Sequence, residues 1–457
     1  MGRTKRVVDG TAGRKLNMKL EITEVPESSD IEFDPKVSFY LDKKRLVRKV
    51  TAGRYSGETL LEIPGRARRI SDPAELSRLW VVNRLRGALP TGDHATRKPE
   101  IKIVDLCCGA GGFATGIKWA CESVGLRPVI SLAVDTDGRA RDIYKLNVRP
   151  LNLLAETIAN MVDYDQTSNE PRYRPKLMDP AFKKFVGNVD LVIAGPPCEG
   201  NSSFNNHTRG RDKRNELYVA SVATAIAMKA KVIIIENVAK VVAAEENVVG
   251  RALLMLRMAG YRIGDNQITL DASEFGVAQR RRRHFLVASK KQAPSAKISV
   301  NGLVSTPITA MDVLEDLLDR EGESPMDEMA VISETNQRRI DFLFETESFD
   351  LPDSERPDCH RTKAHSYHAV YGRIFPDEPS QTITTGFLSP GRGRYIHPLR
   401  RRGLTVREGA RLQSFPDDYK WYRSGKPLHR NPVAKLIGDA VPPQLGFTVG
   451  LLGLALM

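Results

Sequence analysis

The amino-acid sequence predicts an α/β protein: a mostly parallel sheet with helices on both faces, joined to a smaller recognition module and a basic N-terminal extension. Three observations predict it. From Ile101 onward, short β-branched apolar runs alternate with stretches whose apolar residues recur at helical spacing. The runs are near-continuously apolar, as in strands buried on both faces. The composition, 41% hydrophobic and 27% charged over 457 residues, is that of a globular chain with room for two to four domains.

The strand-like runs are Ile101 to Leu106, Val129 to Val134, Val189 to Ala194, Val232 to Ile235 and His284 to Ala288. Helical spacing marks Phe113 to Val124, Asn215 to Lys229 and Gly250 to Ala259, with Gly260 as a stop. Such alternation builds a doubly covered sheet, which binds ligands at the carboxyl ends of its strands. Residues 100–289 are therefore read as the catalytic domain. Residues 290–400, irregular and rich in Arg, His, Asp and Pro, are read as a recognition region. Residues 401–457 return to the catalytic domain: a helix over Val406 to Ser414, a turn-strand-helix over Ala434 to Leu445, and an apolar final helix from Leu445 docked on the core.

Lys and Arg number 69 against 56 Asp and Glu, a formal charge of +13 that suits a polyanionic partner. Of that excess, +8 falls in residues 1–99, where 21 basic residues face 13 acidic ones. This segment reads as an electrostatic arm or accessory domain gripping a duplex non-specifically. Five cysteines in a chain this long are the usage of a reducing compartment. No apolar run approaches the roughly 18–20 residues that span a bilayer, and no apolar region follows the charged N-terminus as in a signal peptide. The expectation is a soluble, cytoplasmic protein without a membrane partner.

Four clusters carry chemistry. Asp105-Leu-Cys-Cys-Gly109-Ala-Gly111-Gly112-Phe113 joins the first strand to a helix; it is either a structural turn or a loop whose glycines let a ligand approach a helix N-terminus. Asp135, ending the second strand, fits the ribose of a nucleoside-like cofactor if it acts with those glycines. Gly195-Pro196-Pro197-Cys198 follows the third strand, where a rigid backbone suits a nucleophilic thiol more than an inert buried one. Glu236-Asn237-Val238 follows the fourth and is either a helix cap or an acid that donates to a ring nitrogen. Gln279-Arg-Arg281-Arg-Arg283 leads into the fifth, with three alternate side chains aimed to one side at a phosphate or a base, unless the run is simply solvated.

In order and identity these clusters resemble the DNA (cytosine-5)-methyltransferases of bacterial and phage type. Two C-terminal motifs extend the match: Leu404-Thr-Val-Arg-Glu408-Gly-Ala-Arg-Leu-Gln413-Ser-Phe-Pro416 and Leu436-Ile-Gly438-Asp-Ala-Val-Pro-Pro443. Any one motif recurs elsewhere; the ordered set is specific. The resemblance implies a Rossmann-like, S-adenosylmethionine-dependent sheet and a recognition domain over 290–400. Cys198 looks like the nucleophile for cytosine C6, Glu236 like the group holding N3, and Arg283 like the contact to the cytosine carbonyl. Gln279 and Arg281 look like supports. It also implies cofactor contacts from Asp105, Gly109, Gly111, Gly112, Phe113, Asp135, Pro196, Asp439 and Ala440. Glu156 is preferred to Asp163 for the adenine. No metal is implied, and Cys359-His360 lacks a paired Cys-x-x-Cys.

Double-stranded DNA is the implied partner, its target base flipped out of the stack. Ser202 and Thr382 resemble positions that hold the displaced backbone, and Arg361, Lys363, Tyr367 and Arg373 are candidate DNA contacts within the recognition region. The resemblance further implies a monomer and, in a restriction-modification setting, a companion endonuclease. Three residues depart from the family's usual pattern: Glu199 in place of Gln, Cys107 in place of an aromatic, and Asp439 in place of Asn. An RNA-directed enzyme of the same architecture, or a silent DNA-binding relative, are the alternatives; intact Cys198, Glu236 and Arg283 weigh against the latter.

Overall fold

The structure is a computed structural model that describes residues 35–63, 70–92, 98–164, 174–197, 215–244, 247–264, 268–294, 307–320, 322–361 and 369–457. Cys198, Glu199, Ser202, Lys363 and Tyr367 lie outside the described residues.

The chain opens with an antiparallel meander, β1 (Lys36–Asp42), β2 (Arg45–Ala52) and β3 (Tyr55–Glu62), followed by α1 (Pro73–Leu85) and the short β4 (Thr91–Gly92) against β3. Alternation along β1 puts Val37 and Phe39 inward and Ser38 and Tyr40 outward. Asp72 caps α1 by accepting from Ala74 N, with Pro73 at the first helical position. This module has no core of its own. Phe39, Leu46 and Trp80 share one apolar cluster with the first helix of the catalytic sheet and the last helix of the chain.

The main sheet contains β5 (Glu100–Leu106), which leads through α2 (Gly112–Ser123) to β6 (Arg127–Val134) and through α3 (Gly138–Asn147) to β7 (Leu153–Leu154). A small ribbon of β8 (Val162–Asp163) and β9 (Lys176–Leu177) precedes β10 (Leu191–Ala194). Next come α4 (Glu216–Ala227), β11 (Val232–Val238), α5 (Val248–Met258), β12 (Arg262–Ile263), β13 (Ile268–Asp271) and β14 (Arg282–Ser289). The strand order is β12-β14-β11-β10-β5-β6-β7, with β13 also on β14. Strands β11, β10, β5, β6 and β7 are parallel, whereas β14 runs antiparallel to β11.

Successive residues along each central strand feed opposite layers. Ile103, Ile193 and Ile234 pack with α2 and the final helix; Val104, Val192 and Ile233 pack with α4 and α5. That alternation covers the sheet on both faces.

The remaining chain supplies α6 (Ala310–Leu314), α7 (Glu334–Glu345), α8 (Asp358–Arg361), α9 (Val406–Leu412), α10 (Arg430–Asp439) and α11 (Pro443–Ala455). The expected turn-strand-helix over Ala434 to Leu445 is instead two helices, α10 and α11, broken at Val441-Pro442. Paired prolines bar continuation, and Pro443 starts the next helix at a position that needs no N–H. Helix α11 is buried along its whole length. It docks on α2 so closely that a Cβ on Gly116 would lie 2.2 Å from Pro443 O and 2.5 Å from Phe447 N.

Candidate active site

Four motifs meet at one rim of the sheet because β5, β6, β10 and β11 all end there. After Leu106 the chain turns through Cys107 (φ 54°), and Cys108 N donates to Val134 O at 3.0 Å. Gly109 N donates to Asp135 Oδ2 at 2.8 Å, tying the glycine loop to the end of β6. Gly111 caps α2 at φ 94°, a conformation that favours glycine. Asp105 is buried, and Tyr144 of α3 donates to its Oδ2 at 2.8 Å. Burial pushes the Asp105 carboxyl up to about 8, against the pull of that hydrogen bond. Phe113, in the first turn of α2, packs edge-on to Phe285.

Asp135 Oδ1 also accepts from Asp137 N at 2.8 Å. Its own N–H donates to Leu154 O, which places Glu156 two residues past β7 on the same rim. There Glu156 Oε1 accepts from Thr157 N and Asn160 Nδ2. Asp163 instead lies in β8.

Gly195 N donates to Leu106 O, carrying the Pro-Pro segment past the end of β5. Buried Asn237 donates from Nδ2 to Pro196 O at 3.2 Å and so holds the backbone two residues before Cys198. Sequence reading quoted Asn237 but gave it no role; its place beside Glu236, with an opposite orientation, was the available signal. A Cβ on Gly195 would sit 3.7 Å from Glu236 Oε2, so this carboxylate borders the Pro-Pro segment.

Arg283 reaches the rim because β14 is antiparallel. Its amino end lies beside the carboxyl end of β11, with Arg283 opposite Val238 and Phe285 opposite Glu236. Diagonal neighbours on one face can touch, and Arg283 Nε lies 2.9 Å from Glu236 Oε1. Burial raises the Glu236 carboxyl; Arg283, and then Arg281, oppose the rise. Behind them Tyr218 of α4 pairs with His284 Nε2 at 3.0 Å, and burial lowers His284 to about 4, so its ring stays neutral.

Gln279 and Arg281 are turned inward, away from solvent. Arg281 donates to the carbonyls of Ile383, Gly438 and Ala440. Gln279 Nε2 donates to Leu412 O and Gln413 Oε1, while its Oε1 accepts from Ile383 N. These two side chains splice the start of β14 to residues 380–384 and to the C-terminal segment. Thr382 thereby lands on the rim, its hydroxyl donating to Arg280 O at 2.8 Å. Ala440 and Val441 cross the start of α2, where a Cβ on Gly112 would be 2.3 Å from Val441 O. Asp439 pairs with Lys435 at the surface.

The recognition-region residues divide. Arg361 is exposed and paired with Asp358. Arg373 lies over the Phe344 and Phe349 rings and donates to Pro398 O at 2.8 Å, which commits its guanidinium to internal packing. Sequence reading also passed over Tyr419, whose hydroxyl donates to Ala110 O and whose ring packs with Phe415 and Trp421; the aromatic spacing after Pro416 was the signal.

The cofactor loop fits a nucleoside ligand. A Cβ on Gly109 would meet nothing within 4 Å, so the loop faces open space beside Asp135. A helix-covered sheet with this loop and acid on adjacent strand ends is the architecture of enzymes that bind a nucleoside-bearing cofactor such as S-adenosylmethionine. The family described as C-5 cytosine-specific DNA methylase matches residues 101–451. The chain is 34% identical over 441 residues to Type II methyltransferase M1.BsuMI of Bacillus subtilis (strain 168), covering 95% of this chain and 98% of that one. It is 26% identical over 356 residues to Type II methylase M.HgiDII of Herpetosiphon aurantiacus, covering 75% and 92%. In fold it is similar to a solved protein designated a DNA modification methyltransferase and encoded within an E. coli prophage, with TM-score 0.50, 22% identity, and coverage of 78% and 98%. The chain belongs to the C-5 cytosine-specific DNA methylases. It transfers the methyl group of S-adenosylmethionine to C5 of cytosine in DNA.

Proposed function

We propose that this methylase modifies cytosine within one short duplex sequence as the protective partner of a restriction endonuclease, through a covalent Cys198 adduct on a flipped-out base. The observation that carries the mechanism is the Glu236–Arg283 pair bordering the Pro196-Pro197 segment. The relatives named as type II methyltransferases support the restriction-modification setting.

Cytosine C6 is a poor electrophile, so addition needs both a thiolate and relief of charge on the ring. The Cys198 thiolate adds to C6 while Glu236, held high by burial, donates its proton toward N3. Arg283 faces the carbonyl side and keeps the Glu236 carboxyl oriented. S-adenosylmethionine, held by the Gly109 loop, Asp135 and Glu156, supplies an electrophilic methyl group to C5 when bound. Loss of the C5 proton to water then expels the Cys198 thiolate, and N3 returns its proton to Glu236, which restores the neutral aromatic ring. Thr382, with Ser202, Arg361, Lys363 and Tyr367, would hold the opened duplex.

The test is mass spectrometry of nucleosides and mapping of modified positions after incubation with unmethylated duplex and cofactor. A duplex carrying 5-fluorocytosine serves as a trap, because fluorine cannot leave as a proton does. Expected are 5-methylcytosine at one short motif, a trapped adduct, and loss of both with retained DNA binding in Cys198→Ala. Turnover by Cys198→Ala overturns the covalent route, and modification of RNA alone overturns the duplex assignment.

A further inference from the structure

On the face of α2 turned from the catalytic rim, between the N-terminal meander and the catalytic domain, lies a cavity of about 270 Å³. Arg48, Thr59, Trp80, Arg84, Lys98 and Trp119 line it, with Glu122, Ser414 and Gln444 also at its wall. Glu122 is ten residues along α2 from Gly112, about 15 Å at the helical rise, so the cavity is distinct from the cofactor loop.

Arg48 is its unusual feature. This residue is 6% exposed, in the middle of β2. Its guanidinium carbon lies over two rings, 4.5 Å from the centroid of Trp80 and 4.7 Å from that of Phe447 of α11. Nε donates to Thr59 Oγ1 at 3.3 Å. Among the described residues no carboxylate forms an ion pair with Arg48, and its two Nη groups have no hydrogen-bond partner. Two rings thus flank the guanidinium, and Arg48 lines the cavity. Burial, and then the nearby Arg84 cation, push the Arg48 guanidinium down to about 9, and the Glu122 carboxylate only partly opposes them. Arginine remains a cation at neutral pH, so the cavity keeps a desolvated positive charge.

The other charges favour the same ligand. Arg84 is stacked over Trp119 at 4.8 Å and pairs with Asp418, and Lys98 adds a second cation at the wall. Glu122 is the opposing acid in the lining. An arginine edge offers paired N–H donors matched to the oxygens of a phosphate or carboxylate. The volume lies just below the range of drug-sized pockets and suits a small anion.

We propose that this cavity is a binding site for a small phosphate-class anion, inorganic phosphate or a compact phosphomonoester, seated on the edge of Arg48. Such an anion contacts the meander through Arg48 and the segment entering β5 through Lys98, so its binding ties the N-terminal module to the catalytic sheet.

The experiment uses the full chain. Inorganic phosphate is titrated at fixed ionic strength against chloride, with melting temperature and calorimetry as readouts. A saturable rise in melting temperature is expected, with the half-effect concentration raised at least about tenfold in Arg48→Met. Glu122→Gln should tighten phosphate binding several-fold, and it tests the proposal even if Arg48→Met fails to fold. A phosphate response no greater than that to chloride overturns it, as does an equal response in Arg48→Met or no change in Glu122→Gln. Duplex binding distinguishes the source: if Arg48→Met weakens DNA binding while free phosphate has no effect, the cation serves a backbone phosphate and the small-anion site is refuted.

Discussion

Replacing Arg283 by Met tests the Glu236 assignment most directly. The guanidinium lies 2.9 Å from a carboxylate whose side chain is 10% exposed, while Arg283 itself is 13% exposed. At an effective dielectric near 20, Coulomb attraction at that separation is about 6 kcal/mol, an upper bound because water still reaches the pair. An adjacent guanidinium ordinarily holds a carboxyl down by about 1–3 pKa units. Burial already outweighs this in the wild type, so Glu236 is raised with Arg283 in place. Removing Arg283 must lift it further, because the largest opposing charge is gone. The catalytic consequence has a definite sign. On the proposed mechanism the rate rises with pH as Cys198 becomes thiolate and falls as Glu236 loses the proton it would donate toward N3. The descending limb of single-turnover rate against pH should therefore move up by about 1–3 units in Arg283→Met, while the ascending limb stays. The maximal rate also falls, because the contact to the cytosine carbonyl is gone. Direct titration of the Glu236 carboxyl by carbon NMR gives the same quantity without turnover. A descending limb that stays put, or moves to lower pH, refutes the assignment of that limb to Glu236.

Gly116→Ala should destabilise the protein by about 3 kcal/mol or more in urea unfolding, since its Cβ would sit 2.2 Å from the backbone of α11 and the two helices must part. Asp105→Asn should raise the melting temperature of the cofactor-free protein, with a larger gain at pH 9 than at pH 5. A carboxyl raised to about 8 is protonated in the fold but ionised in the unfolded chain, so it removes stability as pH climbs from about 4 to 8. Lys43→Glu with Lys44→Glu, at the exposed β1–β2 turn, should weaken binding to all duplex sequences alike. If each lysine meets one phosphate, the salt slope should fall by about 2; an altered recognition sequence would show instead that the turn reads bases.

The basic N-terminal segment illustrates how composition can mislead about location. Residues 1–34 carry 6 basic and 7 acidic residues, whereas residues 35–99 carry 15 and 6, so the positive excess belongs to residues 35–99. The similarity to M1.BsuMI, spanning 95% of the chain, extends well before the family match at residue 101. Periodicity could show that β1 to β3 have an apolar face. It could not show that the face is completed by α2 and α11, because those partners lie far along the chain.

The sequence by itself determined five strands and three helices between Ile101 and Ser289 and the placement of each polar motif at a strand end, while α3, β7 to β9, β12 and β13 were not read from it. Local apolar periodicity and turn residues report those features directly. It also determined the family, since six ordered motifs suffice. The tertiary structure decided which motifs touch. Only the antiparallel pairing of β14 with β11 sets Arg283 against Glu236. Only packing across more than 100 residues of chain turns Gln279 and Arg281 inward as buried clamps, and only the fold of the recognition region lays Arg373 over the Phe344 and Phe349 rings. The ring-flanked guanidinium of Arg48 likewise arises where β2, α1 and α11 converge. A pattern of residues specifies which face is buried; the fold alone supplies what covers it, because strand pairing and helix docking are contacts between distant parts of the chain.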